Sequence, residues 1–207
     1  MSIAATARPP LKLSMPNFNS SRVTLAPSDR AWCEVTNTGE SAYRIRLEGA
    51  FGPSWISSLC AELADRQLSI DRAHAMRTLN QTWVAELNVI ALAGAEDPLA
   101  IPYVELAEAG APDASDPLRL DSYIIEETAA HGGTLLLTIE APDSLGLLGS
   151  LLSQLAMLFL FPIEMHIETR NGRAYDSFWL GTVGATSPGQ RIRDSLDRVL
   201  ARALVGK

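Results

Sequence analysis

The sequence contains few residues of the kinds that build disulfide frameworks or nucleic-acid surfaces. It has only two cysteines, Cys33 and Cys60, in 207 residues. Two cysteines do not make a disulfide framework, so we expect a reducing compartment and a cytoplasmic protein. The net charge is −7, from 17 basic and 24 acidic residues, and the basic residues are scattered along the chain. Since binding to nucleic acid requires a clustered basic surface, we do not expect a nucleic-acid partner.

Signals for membrane insertion or secretion are also missing. Residues 1–28 carry only positive charges, but no continuous apolar core follows them, as a secretory signal requires. Residues 144–163 include no charge and are long enough to span a bilayer. However, Ser150, Ser153 and Gln154 fall on one helical face, opposite a stripe of leucines. This arrangement is typical of a helix packed on a core, so we expect no membrane partner.

Motifs for catalysis and for cofactor binding are absent as well. No G-x-S-x-G elbow frames a serine, and no glycine-rich phosphate loop occurs. Only three histidines are present. His166 alternates with Glu164 and Glu168 on one strand, which favours a solvated sheet face over a metal site. His74 and His131 are expected to be ordinary strand or loop residues. We therefore predict a protein that is not an enzyme and has no cofactor and no metal.

Hydrophobic periodicity instead indicates two copies of one supersecondary unit. Residues 41–130 read as strand, helix, two strands, helix and strand, the order βαββαβ. Residues 131–207 repeat this order but end after the second helix. Because independent errors would rarely repeat, the duplication supports each assignment. The prediction is an α+β protein of two ferredoxin-like βαββαβ modules, with antiparallel sheets and helices packed on one face.

Residues 1–40 form a separate N-terminal arm in this interpretation. They are rich in Pro, Ser, Thr and Asn, and residues 1–20 are expected to be mobile. Short strand-like patterns occur at Arg22–Leu25 and Ala31–Asn37. The second module lacks its last strand, and exposed sheet edges are usually covered. We predict that Ala31–Asn37 fills this edge position.

Asn171-Gly172 is a strong signal for a two-residue hairpin turn, which sets the register of the strands around it. Arg170 then faces Arg173, and the pairing continues outward along both strands. The face that meets the helices carries the following residues: Ile163, Met165, Ile167, Thr169, Ala174, Asp176, Phe178 and Leu180. The opposite face is polar but holds Tyr175 and Trp179, so it is either solvated or an interface. Its two aromatic residues favour a homodimer contact.

Two stretches in the second module resemble a known family. Thr138–Leu148, with its Asp143-Ser144-Leu145-Gly146-Leu147-Leu148 string, is similar to the opening motif of ACT domains. Thr169–Phe178 resembles the hairpin motif of the same family. The likeness covers about residues 132–205 and is strongest to the sensory ACT domains of bacterial uridylyltransferases. Residues 42–128 share only the element order and a Gly49–Gly52 turn without an aspartate. The resemblance implies βαββαβ modules that bind amino acids.

The resemblance also implies a ligand site at the first strand–helix turn, where two modules meet. In the second module this turn includes Asp143, Ser144, Leu145, Gly146 and Leu147. In the first module it includes Gly49, Phe51 and Gly52, with Gly52 in the place of Gly146 and Pro53 after it.

The chemistry of such a turn suits a ligand. A glycine before a helix lets the backbone approach a ligand closely, and the helix N-terminus offers N–H groups to a carboxylate. Asp143 and Gly146 each also have a structural alternative, and for Asp143 capping alone is favoured over ligand contact. Asp143 fits the N-cap position of its own helix, and Gly146 fits close packing of helix against sheet.

These features lead to two hypotheses of function. The first is a tandem ACT regulator that binds an amino acid and passes its signal to a partner protein, as a homodimer in the cytoplasm. The second is a protein-interaction module that keeps the fold but has lost the ligand. The missing aspartate and Pro53 of the first module are what such a loss would produce. An enzyme on the same scaffold would need a convergent set of titratable groups that the sequence does not offer.

Overall fold

The computed structural model describes residues 31–109, 117–182 and 187–205. The proposed arm of residues 1–20 and the strand at Arg22–Leu25 lie outside these residues. The described part contains eight strands and four α-helices. The strands are β1 (Trp32–Asn37), β2 (Ala42–Gly49), β3 (Leu68–Arg77), β4 (Trp83–Ala91), β5 (Ser122–Thr128), β6 (Thr134–Pro142), β7 (Leu160–Arg170) and β8 (Arg173–Thr182). The helices are α1 (Trp55–Asp65), α2 (Tyr103–Glu108), α3 (Leu147–Met157) and α4 (Gln190–Ala203).

All eight strands form one antiparallel sheet in the order β1-β2-β4-β3-β7-β8-β6-β5. The predicted α+β class is therefore confirmed. The sheet has two halves of four strands, and they meet where β3 pairs with β7. At that junction His74 of β3 lies directly opposite His166 of β7. In the described residues, no helix has the length and hydropathy needed to cross a bilayer.

The two halves repeat the same element order at a nearly constant spacing. Each runs strand, strand, helix, strand, strand, helix. The elements β2, α1 and β3 begin 92 residues before β6, α3 and β7, respectively. Equivalent residues therefore follow directly from the numbering in this part of the chain. Leu47 opposes Ala85 in the first half, as Ile139 opposes Asp176 in the second.

The predicted partner of the N-terminal strand is wrong. Ala31–Asn37 was expected to complete the second half, but β1 pairs with β2 of the first half. The edge of the second half is instead covered by β5, which pairs with β6. Each half is thus ββαββα rather than βαββαβ. Both edge strands pair with the strand that follows them after a short connection, which costs less loop entropy than a long crossover.

One face of the sheet is apolar and carries the core. A row of buried residues crosses both halves through Ile45, Leu87, Ala73 and Ile167, which oppose one another on successive strands. On this face α1 contacts α2, α3 and β3, α3 contacts β7, and α4 contacts β5. The opposite face, called the open face, carries polar and half-exposed side chains linked by ion pairs, such as Arg46–Glu86 at 3.0 Å.

The predicted hairpin of the second half is confirmed at its turn. Asn171 and Gly172 both have positive φ, and Arg170 faces Arg173. Farther from the turn the register shifts between Pro162 and Glu164, so Leu180 pairs with Pro162 and not with Ile163. Such a bulge inserts one extra residue into a strand, which two-residue alternation does not anticipate.

Candidate functional site

The strand–helix turn of the second half, Asp143–Gly146, borders a small pocket that we call the turn pocket. Its volume is about 40 Å³, enough for a few water-sized groups. The facing wall belongs to the first half and is formed by Cys60 and Ala64 of α1 and by Leu68–Ile70 of β3. The turn pocket therefore lies where the two halves of the sheet meet.

Five of the eight residues predicted from the sequence come together in this pocket. Asp143, Ser144, Leu145, Gly146 and Leu147 all line it. They are joined by Leu148 and Gly149 in the first turn of α3. The N–H groups of a first helical turn have no partners within the helix. The Leu147 N–H already donates to Ser144 O at 3.1 Å, so the donors that this end of α3 can offer are the N–H groups that follow it.

The structure excludes the N-cap role for Asp143 and gives a backbone reason for Gly146. Asp143 is not an N-cap, because α3 begins at Leu147, its N-cap is Gly146, and no side chain makes a capping hydrogen bond. The Asp143 carboxylate instead accepts a hydrogen bond from the Thr169 side chain. Gly146 has φ of 85°, a left-handed conformation that favours glycine, so the backbone itself requires this residue.

A second carboxyl group, that of Asp176, faces the turn pocket from β8. Its side chain is buried, and Oδ1 accepts the backbone N–H of Glu168 at 3.3 Å. Burial raises the pKa of Asp176 to about 7, and the nearby charge of Asp143 adds to this. The pKa of Asp143 is also raised, by burial and by Asp71, against the lowering effect of its bond to Thr169. The pocket thus holds two carboxyl groups that are both poorly solvated.

Sequence reasoning did not select Asp176 as a site residue, although it placed this side chain on the core-facing side of the hairpin. A lone carboxyl group among apolar residues is costly to bury. The core-facing position of Asp176 could therefore have marked it as a site residue, since carboxyl groups with strongly perturbed pKa values in clefts cluster at functional sites. Burial and the charge of Asp176 also raise the pKa of the Cys60 thiol, which keeps that wall of the pocket uncharged.

The equivalent turn of the first half is filled by aromatic rings. Phe51 stacks on Trp55 with ring centroids 5.1 Å apart, and Trp55 lies 5.4 Å from Trp83. Gly49 is packed beneath them, because a Cβ there would come within 2.8 Å of the Phe51 ring. None of the predicted first-half residues Gly49, Phe51 and Gly52 lines the turn pocket.

The expected match between Gly52 and Gly146 is wrong. The N-cap of α1 is Ser54, which stands 92 residues before Gly146, the N-cap of α3. Gly52 is exposed, and an added Cβ there would meet no atom within 4 Å.

A larger groove lies at the sheet edge formed by β5, between this strand and α4. Its volume is about 640 Å³, and it opens widely to solvent. Polar groups along it already pair with one another. The Tyr123 hydroxyl donates to Asp197 at 2.8 Å, and Arg193 pairs with Glu127 at 2.9 Å. The groove is thus less enclosed than the turn pocket.

The structure brings the three histidines together, which the sequence did not predict. His74 and His131 were expected to be ordinary residues, and His166 to lie on a solvated face. All three imidazoles instead approach the Glu164 carboxylate on the open face of the sheet. No spacing in the sequence signals this arrangement, since the three histidines lie on separate elements.

Comparisons with known proteins identify no family for the chain. No protein-family model matches it, and no curated protein sequence matches it significantly. A solved structure similar to it is that of aspartate kinase from Synechocystis, with 13% sequence identity and a TM-score of 0.45. The match covers 79% of this chain and 27% of the kinase chain, so the chain spans about a quarter of that protein. A TM-score of this size establishes neither a shared fold nor a shared function.

Proposed function

We propose that the chain is a regulatory protein that binds a free amino acid, or a similar small metabolite, in the turn pocket. The observation that carries this proposal is the position of the pocket. The Asp143–Gly146 turn of one half closes against α1 and β3 of the other half. A ligand held there contacts both halves at once and therefore favours one arrangement of them over another. The resemblance of residues 132–205 to ACT domains supports the same site.

The pocket offers partners for both charged groups of an amino acid, its ammonium group and its carboxylate. Asp143 and Asp176 offer oxygen atoms to an ammonium group, whose positive charge would lower the pKa of both carboxyl groups. The first turn of α3 offers N–H groups to a carboxylate, with support from the helix dipole. Because the free volume is about 40 Å³, the turn must move outward to admit a ligand. That movement would be the signal.

The signal is proposed to pass to a partner protein rather than to a catalytic centre in this chain. We propose a cytoplasmic homodimer, in line with two free cysteines and with the aromatic residues on the open face. Tyr175 is 40% exposed there, although β8 is an inner strand of the sheet. Exposed aromatic residues are enriched at protein interfaces.

A thermal-shift screen against the twenty amino acids tests this proposal. A ligand that binds only the folded chain stabilises it by about 2.7 kcal/mol at 100 times its Kd. We expect a concentration-dependent rise in melting temperature with one or two amino acids. Asp143→Asn should abolish the rise, while Asp65→Asn, which removes an exposed carboxylate at the end of α1, should retain it.

Two outcomes of the screen would contradict amino-acid binding in the turn pocket. One is a flat response at millimolar concentrations of every amino acid. The other is a shift that survives Asp143→Asn, since the ligand would then bind elsewhere. A flat response would favour the second hypothesis, a protein-interaction module without ligand. The aromatic filling of the first turn supports that hypothesis for the first half.

A further inference from the structure

The three histidines of the chain converge on a single carboxylate. His166 Nε2 lies 2.7 Å from Glu164 Oε1, and His74 Nε2 lies 3.4 Å from the same oxygen. His131 Nε2 lies 2.9 Å from the other oxygen, Oε2. We call these four residues the histidine cluster. A chain with three histidines among 207 residues has thus placed all of them at one point.

The histidine cluster is built across the junction of the two halves. His74 comes from β3, while Glu164 and His166 come from β7, the strand that pairs with it. His131 belongs to a single 3₁₀ turn between β5 and β6 and has φ of 52°. Positive φ is uncommon for residues other than glycine and collects at binding sites, where the surrounding structure holds it in place.

The surroundings leave the histidine cluster accessible on one side and packed on the other. The Trp179 ring lies 5.3 Å from the His166 ring and 6.4 Å from the His131 ring, centroid to centroid. His74 and His166 lie 4.4 Å apart by the same measure. The Glu164 side chain is 21% exposed and that of His166 is 44% exposed, so an ion in solution can reach them.

Three of the donor atoms lie close enough together to share one metal ion. One atom from each of His74, Glu164 and His166 lies within 4.8 Å of the other two. Zn²⁺ bonds of roughly 2.0–2.2 Å to imidazole nitrogen and carboxylate oxygen place neighbouring ligand atoms about 3.3 Å apart in a tetrahedron. The separations of 2.7 and 3.4 Å from Glu164 Oε1 to the two imidazole nitrogens lie on either side of that value.

We propose that the histidine cluster is a divalent transition-metal site of the zinc class, with His74, Glu164 and His166 as its three protein ligands. His131 is a positioning residue that orients Glu164 through its second oxygen, the role that outer-shell partners take at metal sites. Three protein ligands leave one position open for water or an exogenous ligand. A bound ion would join the two halves at the centre of the sheet.

Zinc binding to the purified chain, prepared without a polyhistidine tag and stripped with a chelator, tests this proposal. We expect one Zn²⁺ per chain in competition with a chromophoric chelator. His74→Asn and His166→Asn should each weaken binding by more than about 100-fold, and His131→Asn by about 10- to 100-fold, the range known for outer-shell partners. Glu168→Gln, next to His166 on the same strand but paired with Arg72, should leave the affinity unchanged.

A measurement on the unmodified chain keeps the proposal testable if a variant fails to fold. In long-range ¹H–¹⁵N NMR spectra of the histidine rings, Zn²⁺ should move the Nε2 signals of His74 and His166 most strongly. The absence of saturable binding by the unmodified chain would overturn the site. So would binding that both asparagine variants retain, or ring signals that do not respond to the ion. The amino-acid screen is independent of these results, since the turn pocket lies on the other face of the sheet.

Discussion

The two strand–helix turns occupy equivalent places in the two halves but are filled in opposite ways. In the first half Phe51, Trp55 and Trp83 close the space with packed aromatic rings. In the second half the equivalent positions hold Asp143, Leu147 and Ala174, and the turn pocket lies among them. Three aromatic side chains have been replaced by smaller ones on the same backbone plan. The comparison teaches that the repeat fixes where a pocket can form, while the side chains decide whether it exists.

The two turns also differ in what they contribute to stability. Buried aromatic side chains remove large apolar areas from water and so stabilise the first half. At the register position where the first half has a buried alanine, Ala85, the second half has Asp176. Burying that carboxyl group costs free energy, as its raised pKa records. Residues that oppose stability in this way are typical of functional sites.

The largest expected effect comes from truncating the aromatic stack. Trp55 is 1% exposed, so Trp55→Ala should lower the free energy of unfolding by about 3–5 kcal/mol. Leu147→Ala, at the equivalent position beside the turn pocket, should cost about 2 kcal/mol, because the pocket already removes contacts on one side. Urea denaturation of both variants measures the difference. Equal losses would contradict the view that only the first turn is tightly packed.

The second prediction concerns the buried carboxyl group. Asp176 binds its proton more tightly in the folded chain, with a pKa of about 7, than in the unfolded chain, with a pKa of about 3.9. Its contribution therefore favours folding at low pH and is lost as the pH rises from about 4 to about 7. Asp176→Asn keeps an oxygen for the Glu168 N–H and removes this dependence.

Urea denaturation of this variant and of the unmodified chain between pH 4 and 8 tests the prediction. Because one pKa unit corresponds to about 1.4 kcal/mol, the variant should be more stable above pH 7 by up to about 4 kcal/mol. The difference should shrink as the pH falls. A difference that stays constant with pH would show that Asp176 does not titrate in this range.

The smallest expected effect separates the two N-cap residues. Gly146→Ala forces an L side chain into a left-handed conformation and should cost about 1 kcal/mol. Ser54→Ala should cost less than about 0.5 kcal/mol, because the Ser54 side chain makes no capping hydrogen bond and its φ is negative. Thermal denaturation of both variants compares them. A larger loss at Ser54 would show that the two turns do not differ in backbone strain.

Much of the local structure follows from the sequence. The alternation of apolar residues predicts the strands within the described residues, and Asn171-Gly172 predicts the hairpin register up to the bulge at Ile163. The Asp143–Leu147 string points to the turn that borders the pocket. These features depend on residues close together in the chain. The predicted module boundaries at residues 40 and 130 stay a prediction. The strands that precede these boundaries, β1 and β5, pair with the strands that follow them.

The order of strands at the two sheet edges could not be predicted in the same way. Either β1 or β5 satisfies an open edge, because both have similar length and alternation. The choice depends on the length of the connections and on the packing of α2 and α4. The alternation of apolar and polar residues in β1 and β5 does not tell which half of the sheet each strand joins.

The amino-acid sequence by itself thus determined the secondary structure, the duplication and the location of the second turn, because these depend on short-range periodicity. Only the tertiary structure decided that Asp143 and Asp176 share one pocket and that His74, His131 and His166 meet at Glu164. Both sites join residues from separate elements, and the second of them depends on β3 pairing with β7. Such contacts arise from long-range strand pairing, which no spacing along the chain encodes.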